Sequence, residues 1–440
     1  MANVNLLESY KGRLAVSESV YAKAHSGEKL SQNKKMVVAK LLDNQNRFLN
    51  EAFDNSVGTQ KADMGLFKKF SLNLTTTAIP NLIAFDLVMV QPMSAMSGYV
   101  SYVEYVAGSN KGEVRRNGMV DEAGRDVATV FNSPFGLGKV DPAYTASKVV
   151  EVLTDTKKLM WTPVARIVKA VGADGAEVAT TDWAVAEDGT VTGTGVVAGV
   201  KVAYEYDNVV IPQQDIPQVT ARMRSIALEA KARRIAIYYS QMAQFQAKND
   251  YGFDLGDQLA EKAVGQLSYE IDTEISQLLI DSAPEANDLV WSKTLPVGVS
   301  KQEHYAGFVE VLEMGAQKIY DATKRFRPNY ILIASNLLPI LAFVPGFKHA
   351  SVSSMNGPYL AGEVNGLKVY VTPNIEAGRF VIGVNGSDKQ SSAAVYAPYM
   401  PVVPTQLLGF ADGAMSQGFS TLYDLRLLNK NLIVSGRVTA

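Results

Sequence analysis

Three stretches of the chain carry apolar residues at the spacing of one helix face. The first lies within SQNKKMVVAKLLDNQNRFLNEAF, where Val37, Leu41 and Phe48 share a stripe. The second runs over 257–281, after Asp254 and Asp257 as candidate N-caps, and the third covers about 301–324. The second predicts the longest helix, because apolar residues recur every four positions in it: Leu259, Ala263, Leu267, Ile271, Ile275 and Leu279.

Other stretches have the composition or alternation of strands. Residues 78–106 are apolar and strand-like, although prolines interrupt them. Residues 219–224 alternate apolar and polar positions and lead into ALEAKARRIAIYYSQMAQFQAKN, within which we predict that a helix begins. Residues 330–334 are typical of a buried strand, and Asn365-Gly366 predicts a hairpin turn. Helices and strands do not alternate regularly, so we predict an α+β fold.

Two segments interrupt this pattern. Residues 108–126, GSNKGEVRRNGMVDEAGRD, are rich in Gly and in charges of both signs, which indicates a long projecting loop. Residues 162–211 are rich in Val, Ala, Thr and Gly, and the pairs Asp174-Gly175 and Asp188-Gly189 are typical of short antiparallel hairpins. We predict a small β insertion over this range.

Composition narrows the class of protein without identifying it. The 440 residues are 47% hydrophobic and 20% charged, which favours a folded protein over a disordered or coiled-coil one. The formal net charge of -2 gives no general attraction to nucleic acid or to an anionic membrane. The absence of Cys excludes disulfides and thiolate chemistry. We expect no membrane-spanning segment, since no apolar run reaches about 20 residues.

The sequence has no clear catalytic or metal-binding motif. His25, His304 and His349 are far apart and form no metal-binding pair, so we interpret them as surface or capping residues. The run Gly136-Leu137-Gly138-Lys139 lacks the hydroxyl residue of a phosphate loop at the next position. The motifs therefore give no signature of an enzyme, a cofactor or a metal site, and by themselves they leave the function open.

Two sets of charged residues are interpreted as structural and not as catalytic or nucleic-acid-binding. Glu270, Asp272 and Glu274 would point in different directions along a helix, and we interpret them as part of its solvated side. The densest basic run is compensated by Glu229, which favours ion pairs within or between subunits over nucleic-acid binding. That run consists of Arg222, Arg224, Lys231, Arg233 and Arg234.

Two strings resemble a known family. AIPNLIAFDLVMVQPM, over 78–93, is similar to a signature stretch of the major capsid proteins of T-even-like tailed bacteriophages. EAKARRIAIYYSQMAQ, over 229–244, continues the resemblance, and KKMVVAKLLDNQNRF extends it weakly upstream. The similarity covers most of the chain apart from the β insertion.

The resemblance implies an HK-97-like capsid fold, with an N-terminal arm, an extended loop, a peripheral domain with a spine helix, and an axial domain. On this chain the implied division is the following: arm 1–77 with a possible propeptide 1–51; peripheral start and extended loop 78–161; β insertion 162–211; peripheral domain with spine helix 212–294; axial domain 295–420; and a C-terminal strand 421–440 returning to the peripheral domain.

The implied function is structural, and no enzyme activity and no cofactor are expected. Copies of the chain are expected to assemble as hexamers into an icosahedral phage head that encloses double-stranded DNA without binding it tightly. The expected location is the virion capsid, with assembly in the cytoplasm of the host bacterium. Further expected partners are a vertex protein, a scaffold, a prohead protease, a portal and decoration proteins, and no membrane is expected.

The resemblance also implies two sites. The extended loop is expected to contact a neighbouring subunit through Lys111, Glu113, Arg115, Arg116, Asp121, Glu122, Arg125 and Asp126. A prohead protease that cuts after Glu in a Leu-x-Glu context is expected to act at Leu49, Asn50, Glu51 and Ala52.

Two alternatives stay open at this point. One is a pentameric vertex protein or an encapsulin-type shell protein of the same fold. The other, from a different class, is a hydrolase or polysaccharide-binding enzyme that carries the 162–211 segment as a β module.

Overall fold

The structure is a computed structural model that describes residues 2–24, 27–54, 61–107, 148–207, 219–323, 326–350, 357–386, 388–389, 391–405 and 407–439. The chain forms two compact units, a larger one of Met1–Tyr102 and Ser225–Ala440 and a smaller one of Val103–Arg224. Both helices and strands are abundant, and the predicted α+β class is confirmed.

The helices of the described residues are α1 (Ala2–Ser9), α2 (Lys11–Ala24), α3 (Gln32–Asp54), α4 (Lys61–Ala78), α5 (Ala84–Leu87), α6 (Gln241–Gln246), α7 (Leu255–Ser282), α8 (Lys301–Ala306), α9 (Phe308–Thr323) and α10 (Leu338–Leu341).

The strands are β1 (Met89–Val90), β2 (Ser97–Ala107), β3 (Lys148–Val152), β4 (Val164–Val171), β5 (Glu177–Val178), β6 (Ala184–Val185), β7 (Val191–Thr192), β8 (Lys201–Tyr206), β9 (Val219–Glu229), β10 (Lys231–Ser240), β11 (Glu285–Ser292), β12 (Tyr330–Ala334), β13 (Lys348–His349), β14 (Tyr359–Val364), β15 (Leu367–Thr372), β16 (Arg379–Gly383), β17 (Ala394–Pro404), β18 (Leu408–Gly409), β19 (Ala414–Leu427) and β20 (Ile433–Thr439).

Two sheets organise the larger unit. The first has the order β1-β17-β19-β10, with β18 paired to β19, and β10 runs antiparallel to β19 along its whole length. The second has the order β11-β20-β16-β12-β15-β14-β13. All five residues of β12 are buried in the second sheet, as the apolar run at 330–334 predicts.

The predicted long helix is α7, and it packs against both sheets. Asp254 is its N-cap and accepts hydrogen bonds from the amides of Gly256 and Asp257, which confirms one of the two predicted caps. Its first half packs with β10 and β19 in one apolar core. Its second half packs with α9 and the seven-stranded sheet in another core.

Local turn signals are confirmed where the chain reverses direction. Asn365 and Gly366 both have positive φ and connect β14 to β15, as a type I′ turn requires. In the smaller unit, Asp174-Gly175 lies between β4 and β5, and Asp188-Gly189 lies between β6 and β7. The sheet of this unit, of order β3-β8-β4-β5, also takes in β3, which precedes residue 162.

One predicted strand region is helical instead. Residues 79–81 form a 3₁₀ turn and α5 follows, so strand structure within 78–106 is confined to β1 and β2. Pro80 suits the first turn of a helix, where its missing amide hydrogen is not needed. The run 82–85 is wholly apolar and buried, so it lacks the periodicity that separates helix from strand.

The strands of the C-terminal third are divided between the two sheets. β17, within 295–420, joins β1 and β19 in the first sheet. β20, within 421–440, pairs in the seven-stranded sheet with β16 and with β11, which lies within the range 212–294. The division into capsid domains stays a prediction. The helix predicted within 227–249 begins only at Gln241, because the preceding alternation continues as β10.

Candidate functional site

The described residues contain no group of three or more His, Asp or Glu that could hold a metal ion. The ring of His304 stacks on Trp291 at 4.6 Å and is within 2.9 Å of the Ser292 carbonyl oxygen. The ring of His349 packs edge-on against Phe347 at 4.7 Å. Both contacts are structural, and His25 lies outside the described residues.

None of the described helices is long and apolar enough to cross a membrane.

A polar cluster of the larger unit is centred on the Asp86 carboxylate in α5. Lys34 of α3 donates to Asp86 at 2.8 Å and also to the Tyr21 hydroxyl at 2.7 Å. Tyr21 of α2 and Tyr370 of β15 donate to the two carboxylate oxygens at 3.0 and 2.9 Å. Burial, reinforced by the Asp86 charge, raises the pKa of both tyrosines, so both phenols remain donors. The cluster fastens α2 and α3 to α5 and the seven-stranded sheet.

A cleft of about 560 Å³ lies beside this cluster, between α3, the α5–β1 segment and strand ends of the seven-stranded sheet. The two lysines that line it are both held by carboxylates: Lys34 by Asp86, and Lys368 by Glu28 at 2.7 Å. The Glu28 contact adds a second ionic link between the N-terminal segment and the sheet. Both lysines therefore help to position the N-terminal segment: Lys34 links α3 to α5, and Lys368 links the residues before α3 to the sheet.

Two buried amides fix α3 to the five-stranded sheet. Asn44 donates to the carbonyl oxygens of Met93 at 2.7 Å and Tyr399 at 3.1 Å. Gln45 donates to the carbonyl oxygen of Val402 at 2.7 Å and to the hydroxyl of Ser71 at 2.6 Å, and it accepts from Thr75. Because buried polar groups are costly when unpaired, these bonds specify one register of α3 on the sheet.

Asp272 of α7 is 5% exposed, so its assignment to a solvated helix side is wrong. Its carboxylate accepts a hydrogen bond from the amide of Ile83 at 3.1 Å and a second from the amide of Ala84. These are free donors at the start of α5. Burial raises the pKa of Asp272 well above its usual range, and the two amide bonds only partly oppose that effect.

The basic run includes an ion pair within the chain, as predicted. Arg233 of β10 donates to Glu274 of α7 at 2.6 Å, and Tyr423 of β19 donates to the same carboxylate. Arg233 also lies 5.5 Å from the centre of the Tyr423 ring. The acidic partner is therefore Glu274, which holds α7 on the five-stranded sheet; Glu229 instead donates its amide to Asp424.

The structure describes only one of the two sets of predicted site residues. Leu49, Asn50, Glu51 and Ala52 lie in the last turns of α3, and Leu49 is only 2% exposed. All eight charged residues predicted for extended-loop contacts, from Lys111 to Asp126, lie outside the described residues.

The anchoring residues were not identified from the sequence. A signal exists for Asn44 and Gln45, because they lie three and four positions after Leu41 and so share its apolar face. A polar amide in such a stripe indicates a buried hydrogen-bonding role. Asp86 and Lys34 carry no such local signal, because their partners are remote in sequence.

The sequence is similar to phage capsid proteins. The family model described as "Major capsid protein Gp23" matches residues 64–437. The major capsid protein of Enterobacteria phage T4 is 23% identical over 390 residues, which span 80% of this chain and 74% of that protein. The major capsid protein of Vibrio phage KVP40 is 21% identical over 398 residues, which span 81% of this chain and 75% of that protein.

The similarity to solved structures is remote. A structure from Mycobacterium phage Bobi has a TM-score of 0.40 at 8% identity, over 81% of this chain and 90% of that one. The asymmetric unit of the bacteriophage PhiM1 mature capsid has a TM-score of 0.36 at 11% identity, over 52% of this chain and 77% of that one. The assignment to a family therefore depends on the sequence similarity and not on the solved structures.

Replacing Asp272 by Asn should change the pH dependence of stability. Burial raises the folded-state pKa of Asp272, so the folded state binds the carboxyl proton more tightly than the unfolded state does. The resulting stabilisation is complete below the unfolded-state pKa and is lost as pH rises through the folded-state pKa. Asn cannot ionise and keeps an acceptor oxygen for the Ile83 amide. We expect D272N to be more stable than the wild type near pH 8, by a margin that shrinks toward pH 4, in urea unfolding curves. The exposed Glu270→Gln on the same helix is the control, and parallel profiles for D272N and wild type would contradict this prediction.

Replacing Gln45 by Ala should destabilise the larger unit. The change leaves the Val402 carbonyl and the Ser71 and Thr75 hydroxyls without their partner. We expect the free energy of unfolding to fall by roughly 3 kcal/mol or more, since three buried groups are left unpaired and each costs about 1–3 kcal/mol. Denaturant titration measures this loss. Asn33→Ala, at an exposed position of α3, should cost almost nothing; equal losses in the two variants would refute the anchoring role.

Proposed function

This chain belongs to the Gp23 major capsid protein family, and on that premise we propose that it assembles as hexamers into an icosahedral phage head around double-stranded DNA. The family match over residues 64–437 carries the proposal, because it runs from before β1 into β20 and takes in α7. The chain is thus a structural component of a phage capsid, in a family not known to be enzymatic. Its α+β fold agrees with the HK-97-like capsid fold that the resemblance implies.

Assembly from one chain requires each copy to contact several neighbours. Closed rings make such contacts cooperative, because each added subunit is held by more than one neighbour. The eight charged residues of 108–126 suit directional pairing with an adjacent subunit, since complementary charges set register more than affinity. The net charge of -2 supports enclosure of DNA without strong adhesion to it.

The proposal also includes further protein partners. A vertex protein, a scaffold, a prohead protease, a portal and decoration proteins would act with the shell, and assembly would take place in the cytoplasm of the host bacterium. The relatives named above are all major capsid proteins, which gives no support to the enzyme alternative. A pentameric or encapsulin-type shell is the alternative that an assembly experiment distinguishes.

We propose that cleavage after Glu51 requires the end of α3 to unwind. A protease binds its substrate as an extended strand, whereas Leu49 is helical and buried. The bonds of Asn44 and Gln45 hold the helix just before the site. Processing at this position would therefore depend on local opening of α3.

Electron microscopy tests the assembly proposal. We expect the purified full-length chain, alone or with a scaffold protein, to form hexameric rings, tubes or closed shells in negative stain. Pentameric rings alone would instead support the vertex alternative. A chain that stays monomeric in analytical ultracentrifugation under every assembly condition tried would overturn self-assembly.

Limited digestion with a Glu-specific endoproteinase tests the cleavage proposal. We expect cleavage after Glu51 to be at least tenfold slower than cleavage after Glu187, which is exposed in a turn of the smaller unit. Gln45→Ala should speed cleavage after Glu51 and leave Glu187 unchanged, as followed by mass spectrometry. Equal rates at both sites in the wild type would show that α3 does not protect the site.

A further inference from the structure

The larger unit exposes a group of large apolar side chains around α6 and the β18–β19 hairpin. Helix α6, QMAQFQ, has no buried residue, and its Met and Phe belong to none of the apolar cores that the described residues form. We call the following six residues the apolar patch: Tyr238 (69% exposed), Met242 (68%), Phe245 (64%), Tyr251 (76%), Leu408 (58%) and Phe410 (50%).

Strand register places the sheet members of the apolar patch together. Tyr238 of β10 lies opposite Ser416 of β19, and Ser416 lies opposite Leu408 of β18. Directly paired residues project to the same face of a sheet. Tyr238 and Leu408 therefore lie on one face, separated by the small side chain of Ser416.

Backbone contacts bring Phe410 and helix α6 to the same end of the sheet. The amide of Gln241, the first residue of α6, donates to the Gly413 carbonyl at 2.9 Å, and the Phe410 amide donates to the Ala414 carbonyl at 2.8 Å. The hairpin turn with Phe410 thus adjoins the start of α6. Met242 and Phe245 are three residues apart and share one helix face. Tyr251 follows in the π-helical turn Ala247–Tyr251.

The apolar patch is larger than a monomer usually leaves exposed. With aromatic side chains at roughly 200 Å² each and the exposures above, it presents on the order of 700 Å². Typical monomers keep their largest apolar patch to about 300–600 Å². A stable protein interface buries about 800 Å² on each partner. The apolar patch alone supplies most of such an interface.

We propose that the apolar patch is a contact surface for a second copy of this chain, an inference that rests on the proposed self-assembly. None of the six residues is charged, so the patch lacks the cations that hold a nucleic acid. Its area matches one side of a protein interface, and in a shell built from one chain every copy presents the same patch. Contact between copies buries Met242 and Phe245, which the fold of one copy leaves in water.

Assembly of charge-substituted variants tests this assignment. We expect the double variant Met242→Glu/Phe245→Glu to stay folded by circular dichroism and to raise the protein concentration needed for half-maximal assembly by at least tenfold. Met242→Leu/Phe245→Leu keeps the apolar surface and should assemble within twofold of the wild type. Gln302→Glu, at an exposed position of α8, adds a charge outside the patch and should also assemble normally.

Three results separate the possible failures. A double-Glu variant that assembles at the wild-type concentration overturns the assignment of the patch and leaves self-assembly standing. A wild type that never assembles overturns the proposed function itself. If the double-Glu variant does not fold, hydroxyl-radical footprinting of the wild type decides: protection of Met242 and Phe245 in the assembled particle supports the contact, and unchanged labelling overturns it.

Discussion

Helix α7 is the element on which the architecture of the larger unit depends. At 28 residues it is a rod of about 42 Å, and it packs on the five-stranded sheet along its first half and on the seven-stranded sheet along its second. Ala263 and Leu267 belong to one core, and Ile275 and Leu279 to the other. A helix with continuous hydrogen bonds is stiff, so it sets the separation of the two sheets. Subunits that tile a shell need this property, because errors in subunit shape accumulate around a closed ring.

Polar groups then select one arrangement among the many that apolar packing alone would permit. Asp272 joins α7 to the start of α5, Asp86 joins α5 to the N-terminal helices and to β15, and Gln45 joins α3 to β17. Each of these bonds connects elements that are distant in sequence. A misplaced element would leave a buried group unpaired, at a cost comparable to a large part of the stability margin of a domain. The N-terminal helices are thus bonded at several points to the same framework that α7 organises.

The charged groups described above bind the elements of the chain to one another, whereas the exposed side chains around α6 are apolar. The carboxylates of Asp86 and Glu274 and the two lysines of the cleft are all paired within the chain. By contrast, Phe245 and Tyr251 belong to no apolar core within the part of the chain that the structure describes. This distribution is typical of a protein whose function is contact with its own kind, and it agrees with membership of a capsid protein family.

Features that depend on near neighbours along the chain could be predicted from the sequence. The four-residue spacing from Leu259 to Leu279 was sufficient for α7, and Asn365-Gly366 was sufficient for the β14–β15 turn, since helix faces and turn conformations are local properties. Three features required the folded structure: the burial of Asp272, the place of β17 in the same sheet as β10 through β19, and the exposure of α6. Burial and strand pairing depend on which distant surfaces meet. An aspartate in a helix therefore has the same local pattern whether it faces water or two free amides.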